Sequence, residues 1–88
     1  MVKTALTGTP SITERQREVV ELIAQGCSNE EIGRRLGISA RTVKAHADVL
    51  RQKLGVQRRR QIPIAYRTAT GDDPLARALA GAFGGGGD

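Results

Sequence analysis

At 88 residues, with one Cys, one His and no Trp, the chain is long enough for one domain at most and cannot close an internal disulfide. One Cys and one His also fall short of the three or four ligands of a zinc site, so neither a metal nor another cofactor is expected. No apolar run approaches the ~20 residues of a membrane span, and no signal-peptide pattern opens the chain; a cytoplasmic protein is expected, with Cys27 a small reduced residue in a turn.

The formal charge of +5 is unevenly placed. Residues 1–26 balance three basic side chains against three acidic ones, and residues 61–88 carry two against three. Residues 27–60 carry nine (Arg34, Arg35, Arg41, Lys44, Arg51, Lys53, Arg58, Arg59, Arg60) against only Glu30, Glu31 and Asp48. A basic block inside an otherwise balanced chain favours a polyanionic partner. On charge alone, a solvated basic face explains it equally well.

In chain order, residues 1–11 mix Thr, Gly and Pro without apolar periodicity and read as a flexible leader. Thr13 with Gln16 three positions on is a capping box, opening a helix predicted from Glu14 to Gln25. Its buried side is Val19, Val20 and Ile23, with Leu22 a further candidate, and Gly26 ends it. Ser28 and Glu31 form a second capping box for a short helix, Asn29 to Leu36, stopped by Gly37. Ser39 caps a third helix, Ala40 to Leu54, whose Val43, Ala47, Leu50 and Leu54 make one apolar stripe. Gln61 to Thr70 is predicted as a short fourth helix with Pro63 in its first turn, where a missing N–H does least harm. Asp73 and Pro74 read as the start of a fifth piece at 74–80, before the glycine-rich tail. No strand pattern and no internal repeat is present. The prediction is therefore an all-α, four-helix domain over residues 12–70, with a tail at 71–88. With roughly 55 to 60 residues to fold, it buries only about 60% of its unfolded surface and should be marginally stable alone.

Only Gly37 and Ile38 separate the second helix from the Ser39 cap of the third. So short a connection forces a steep crossing, with Ile38 placed to plug it. This is the helix-turn-helix unit, whose second helix fits a DNA major groove. With the apolar stripe turned inward, Arg41, Lys44, Ala45, Asp48 and Gln52 face outward. A short residue such as Ala45 in that row lets the helix approach base edges closely. An enzyme lacks parts here: no glycine loop follows a strand, and no nucleophile has a partner base. Single-strand binding lacks stacking platforms, since Tyr66 and Phe83 are the only aromatic side chains.

Three stretches carry a family resemblance: Thr13-Glu14-Arg15-Gln16-Arg17-Glu18-Val19, then Gly26-Cys27-Ser28-Asn29-Glu30-Glu31-Ile32, then Leu36-Gly37-Ile38-Ser39 continuing through Arg41-Thr42-Val43-Lys44-Ala45-His46 to Lys53-Leu54-Gly55-Val56. In this order and spacing, the run from Ile12 to about Arg67 resembles the LuxR/GerE family of bacterial helix-turn-helix domains, often output domains of response regulators. The resemblance implies a transcription regulator that binds double-stranded DNA at the nucleoid, with a fourth helix that commonly makes a dimer contact. It assigns Lys44, Ala45 and Asp48 to base-facing positions and Thr42 to a phosphate contact, and matches Arg59 to the arginine that opens the fourth helix. Arg41, His46, Arg58 and Arg59 are further candidates for phosphate contact, His46 with packing as its alternative. Arg34 and Arg35, on the helix that crosses the backbone, are weaker ones. Ile62, Ile64 and Tyr66 are the candidates for a homodimer or partner contact. RNA polymerase is a conceivable further partner, whereas no membrane and no small-molecule substrate is expected.

Two departures from the family pattern stand out. Asp48 puts negative charge where DNA is expected, so it either accepts from a cytosine amino group or pairs with Lys44 one turn back, the pairing being preferred. Pro63 and the run Arg58-Arg59-Arg60 replace the usual small and apolar start of the fourth helix. Two competing functions remain: the promoter-reading domain of an alternative sigma factor, which shares Thr-Val-Lys, and a helix-turn-helix fold used as a protein-interaction module.

Overall fold

A computed structural model describes residues 11–76 and 79. The leader through residue 10 and the glycine-rich tail lie outside the described residues, as do residues 77, 78 and 80 of the helix predicted at 74–80, whose residues 74–76 and 79 are helical. Those described are helical, with α1 at Glu14–Ala24, α2 at Asn29–Leu36, α3 at Ala40–Leu54 and α4 at Ile62–Thr70. No strand occurs among them.

The first three helices each begin where a side chain satisfies orphan N–H groups of the first turn. In the first capping box the Thr13 hydroxyl accepts from the Gln16 N–H at 3.1 Å, and the Gln16 amide oxygen accepts from the Thr13 N–H at 3.0 Å. Ser28 and Glu31 repeat the exchange at α2, at 3.1 and 2.8 Å. At α3 the Ser39 hydroxyl accepts from the Thr42 N–H at 3.0 Å and also meets the Thr42 hydroxyl at 2.9 Å. α4 starts differently. A single 3-10 turn, Arg59–Gln61, runs straight into it and places Pro63 in the first helical turn. The Gln61 side-chain oxygen caps this turn, accepting from the N–H groups of Gln57 and Arg58.

The core is small and continuous. Val19, Val20, Leu22 and Ile23 of α1 meet Ile32 of α2, Val43, Ala47 and Leu50 of α3, and Ile62 and Tyr66 of α4. Leu54, the last residue of the predicted α3 stripe, is half-buried against this cluster, as is Ile38 at the crossing of α2 and α3. Two long-range bonds tie the frame further. Lys53 near the end of α3 donates to the Ser11 carbonyl at 2.6 Å and to the Gln16 amide oxygen at 3.0 Å. At the far end Tyr66 donates its hydroxyl to Asp72 at 3.0 Å, and Pro74 is fully buried.

One glycine sets the geometry that matters for function. A Cβ on Gly33 would sit 2.5 Å from the Ile38 carbonyl oxygen and 3.4 Å from the Ala40 nitrogen. The backbones of α2 and of the turn into α3 therefore touch at a point that admits no side chain. Gly37, at φ 72°, reverses the chain just beyond, and the Ile38 N–H returns to the Gly33 carbonyl at 2.9 Å.

Candidate nucleic-acid interface

The site is the outer face of α3. Because Val43, Ala47 and Leu50 are buried, the opposite side of the helix is turned to solvent. Arg41, Thr42, Lys44, Ala45 and Gln52 are all exposed there, and Asp48 is partly so. Val49, outside the outward row predicted from spacing, is also exposed on this face, at 38%.

Charges on the face are organised rather than merely summed. Lys44 donates to Asp48 Oδ2 at 3.2 Å, and Arg51 donates to Asp48 Oδ1. Arg51 also donates to the Gln57 carbonyl at 3.0 Å, anchoring the helix end to the following loop. The guanidinium of Arg51, and then the ammonium of Lys44, hold the Asp48 carboxyl below the usual carboxylate range. Asp48 is thus ionised at neutral pH and its charge is locally compensated. The Lys44 pair was foreseen from spacing; the Arg51 pair was not.

At the start of α3 the hydroxyls of Ser39 and Thr42 and the first N–H groups of the helix lie together, a geometry suited to a phosphate oxygen. His46 is half-buried on the flank of the same helix. Among the described residues no group of three or more His, Cys, Asp or Glu side chains could hold a metal ion.

Comparison with known proteins decides the family. The family model described as bacterial regulatory proteins, luxR family, matches residues 10–65. GerE, the spore germination protein of Bacillus subtilis, is 46% identical over 52 residues, an alignment covering 59% of this chain and 70% of GerE. The chain belongs to the luxR family of bacterial regulatory proteins. The transcriptional regulator of helix-turn-helix type YhjB, from Escherichia coli, is 51% identical over 51 residues, 58% of this chain but 26% of YhjB. A crystal structure of VqmA from Vibrio cholera with a ligand and DNA superposes with a TM-score of 0.64 at 31% identity, covering 85% of this chain and 32% of VqmA. The chain thus spans about a quarter of YhjB and a third of VqmA. As a luxR-family helix-turn-helix, it is a DNA-binding domain of transcription regulation, and the family match decides against the sigma-factor alternative.

Within this luxR-family domain two candidate roles need correction. Arg59, a phosphate candidate, donates its guanidinium to the Cys27 carbonyl at 2.8 Å and to the Asn29 side chain, which clamps the α1–α2 turn to the start of α4. Ile62 and Tyr66 were expected at a partner surface, yet they are 0% and 4% exposed and belong to the core. Their spacing of four puts them on the inner side of α4, and the α4 spacing alone did not say which side that was. Ile64, at 61% exposure, does lie on the surface. Arg58, Arg34 and Arg35 are exposed.

The residues missed from sequence include two that position the frame, Gly33 and Lys53. The signal available for Gly33 was a glycine inside a predicted helix, a position that usually has a packing reason. Lys53, whose bonds reach back 42 and 37 residues, carried no local signal at all.

Proposed function

We propose that the domain binds duplex DNA sequence-specifically by laying α3 in the major groove. The observation carrying this is the division of α3: its inner stripe is buried, and its outer face, within the basic middle third, presents Arg41, Thr42, Lys44, Ala45 and Gln52. Lys44, Ala45 and Asp48 face the bases in this reading, with Lys44 donating to guanine acceptors. Arg41, Thr42, Arg58 and the flanking His46 meet phosphates and set the register. A homodimer then occupies two half-sites about one helical turn apart, with Ile64 on α4 at the contact. Residues 12–70 form the DNA-binding unit of a regulator that works at the nucleoid, in the cytoplasm.

The test is binding to random duplex DNA as a function of salt, followed by selection from random oligonucleotides. A protein meeting about six to ten phosphates loses ~10³-fold or more in affinity between 50 and 200 mM salt. A steep salt slope together with an enriched motif is the expected result. Absence of binding at low salt would instead support the interaction module, for which compensated Asp48 and exposed Ile64 are the motivating features.

A further inference from the structure

The outer face of α3 divides into two unlike flanks. Lys44, Asp48 and Arg51 run along one, joined by ion pairs. Thr42, Ala45 and Val49 run along the other, at spacings of three and four that stack them in one line up the helix. Val49 is the only large exposed hydrophobic residue of α3. Packing does not call for valine there, since it lies off the inner stripe of Val43, Ala47 and Leu50. Helix propensity does not call for it either. A β-branched side chain is less favourable than Ala, Lys or Gln at an exposed helical position.

What the two branches of Val49 can offer is apolar contact, and the major-groove edge of a base pair presents one apolar group, the C5-methyl of thymine. Ala45, one turn earlier on the same line, is short enough to let the helix approach closely. The charged and polar neighbours Arg41, Lys44 and Gln52 are of the kind that meet phosphates and base edges, which disfavours an apolar protein partner for so small a patch. We infer that Val49, with Ala45 beside it, selects a thymine in each half-site by packing against its C5-methyl group. The specificity of the face is then split. The charged flank reads hydrogen-bonding groups, and the apolar flank reads a methyl.

This inference rests on α3 lying in the major groove, and the experiment separates the two claims. The best duplex selected from random oligonucleotides is resynthesised with each thymine of a half-site replaced in turn by deoxyuridine, which lacks only the methyl. One position should lower wild-type affinity ~4-fold, the equivalent of one buried methyl group. Val49→Ala should bind the thymine and deoxyuridine duplexes equally at that position, and Val49→Ile should restore the preference. Folding of each variant is checked by its far-ultraviolet dichroism. A selected half-site without thymine, or full discrimination retained in Val49→Ala, would overturn the role of Val49 while leaving the groove assignment standing. Wild-type protein without salt-dependent duplex binding would remove the groove assignment itself, and the methyl contact with it.

Discussion

The carboxylate of Asp48 accepts from the Lys44 ammonium one turn back, at 3.2 Å, while its other oxygen takes the Arg51 guanidinium. A negative charge on a DNA-facing helix is thereby made tolerable. The pairs are exposed and screened by solvent, so they contribute little to stability. Their effect is on what the helix presents. In the proposed complex Lys44 exchanges Asp48 for a base, which favours a site that gives Asp48 a donor in return.

Asp48→Asn should accordingly tighten binding to random duplex DNA and blunt base preference opposite that position. Losing a carboxylate charge from a face that meets phosphates should raise affinity up to several-fold at low salt, and the gain should shrink as salt screens it. Fluorescence anisotropy at two salt concentrations measures it, and weaker binding by the variant would contradict the arrangement. Because the Asp48 carboxyl is held below its ordinary value, it stays ionised from pH 5 to 8. Wild-type affinity should show no titration of this group in that window.

Lys44 and Arg41 should fail in different ways. Lys44→Ala is expected to lose ~1–3 kcal/mol on the selected site and to relax the preferred base. Arg41→Ala should weaken all duplexes alike and lower the salt slope by about one ion. Equal affinity and unchanged preference in Lys44→Ala would mean that another face of the domain meets DNA.

How much of this was legible in the sequence follows from range. Thr13–Gln16, Ser28–Glu31 and Ser39–Thr42 act within one turn, so the starts of α1, α2 and α3 could be placed from spacing alone. The inner stripe of α3 was equally readable, because fifteen residues leave one consistent face. α4 has only nine residues, and both Ile62 and Ile64 are apolar, so its buried side waited on knowledge of what packs against it. The Arg59 clamp joins residues 30 and 32 apart, and no local pattern encodes such a contact. For the site, the outer face was predictable; the Arg51 pair and exposed Val49 emerged only with the helix in place.

Acid should weaken the domain partly through α2. The Glu31 carboxylate accepts from the Ser28 N–H at 2.8 Å, and this bond above all holds its carboxyl below the ordinary glutamate value. The unfolded chain titrates near that ordinary value. The resulting stability is therefore fully present above it and is lost as pH falls through the lower, folded value. The urea midpoint should be lower at pH 3 than at pH 7, and Glu31→Gln should narrow the difference, since glutamine caps without titrating. An unchanged difference would show that other carboxylates carry the acid sensitivity.

Ile64 offers a clean test of pairing on DNA. Ile64→Glu should leave the thermal midpoint nearly unchanged, because the side chain is 61% exposed, but should abolish cooperative occupancy of paired half-sites. Sedimentation and a two-site binding assay measure the outcome; undiminished cooperativity would place the dimer contact elsewhere. Ile62→Ala, by contrast, removes a wholly buried side chain and should cost ~2–5 kcal/mol, enough to unfold a domain of this size.

Gly33→Ala should destabilise the domain although it adds only one methyl group. Its new methyl would fall 2.5 Å from a backbone oxygen, so α2 and the turn must separate. Overpacking of this kind costs ~1–3 kcal/mol, and each kcal/mol lowers the midpoint by about 4–8 °C in a domain this small. A thermal melt followed by circular dichroism measures the loss, and a midpoint within a degree of wild type would contradict the close approach.

The contact at Gly33 has a consequence for how such a regulator changes its targets. The pitch of α3 is governed by two backbones touching, whereas Lys44, Ala45, Asp48 and Val49 hold no part of the interior. Vocabulary and grammar are thus stored in different atoms. A new operator can be acquired one outward side chain at a time, each step stable enough to survive, while the angle at which any of them is delivered stays the same.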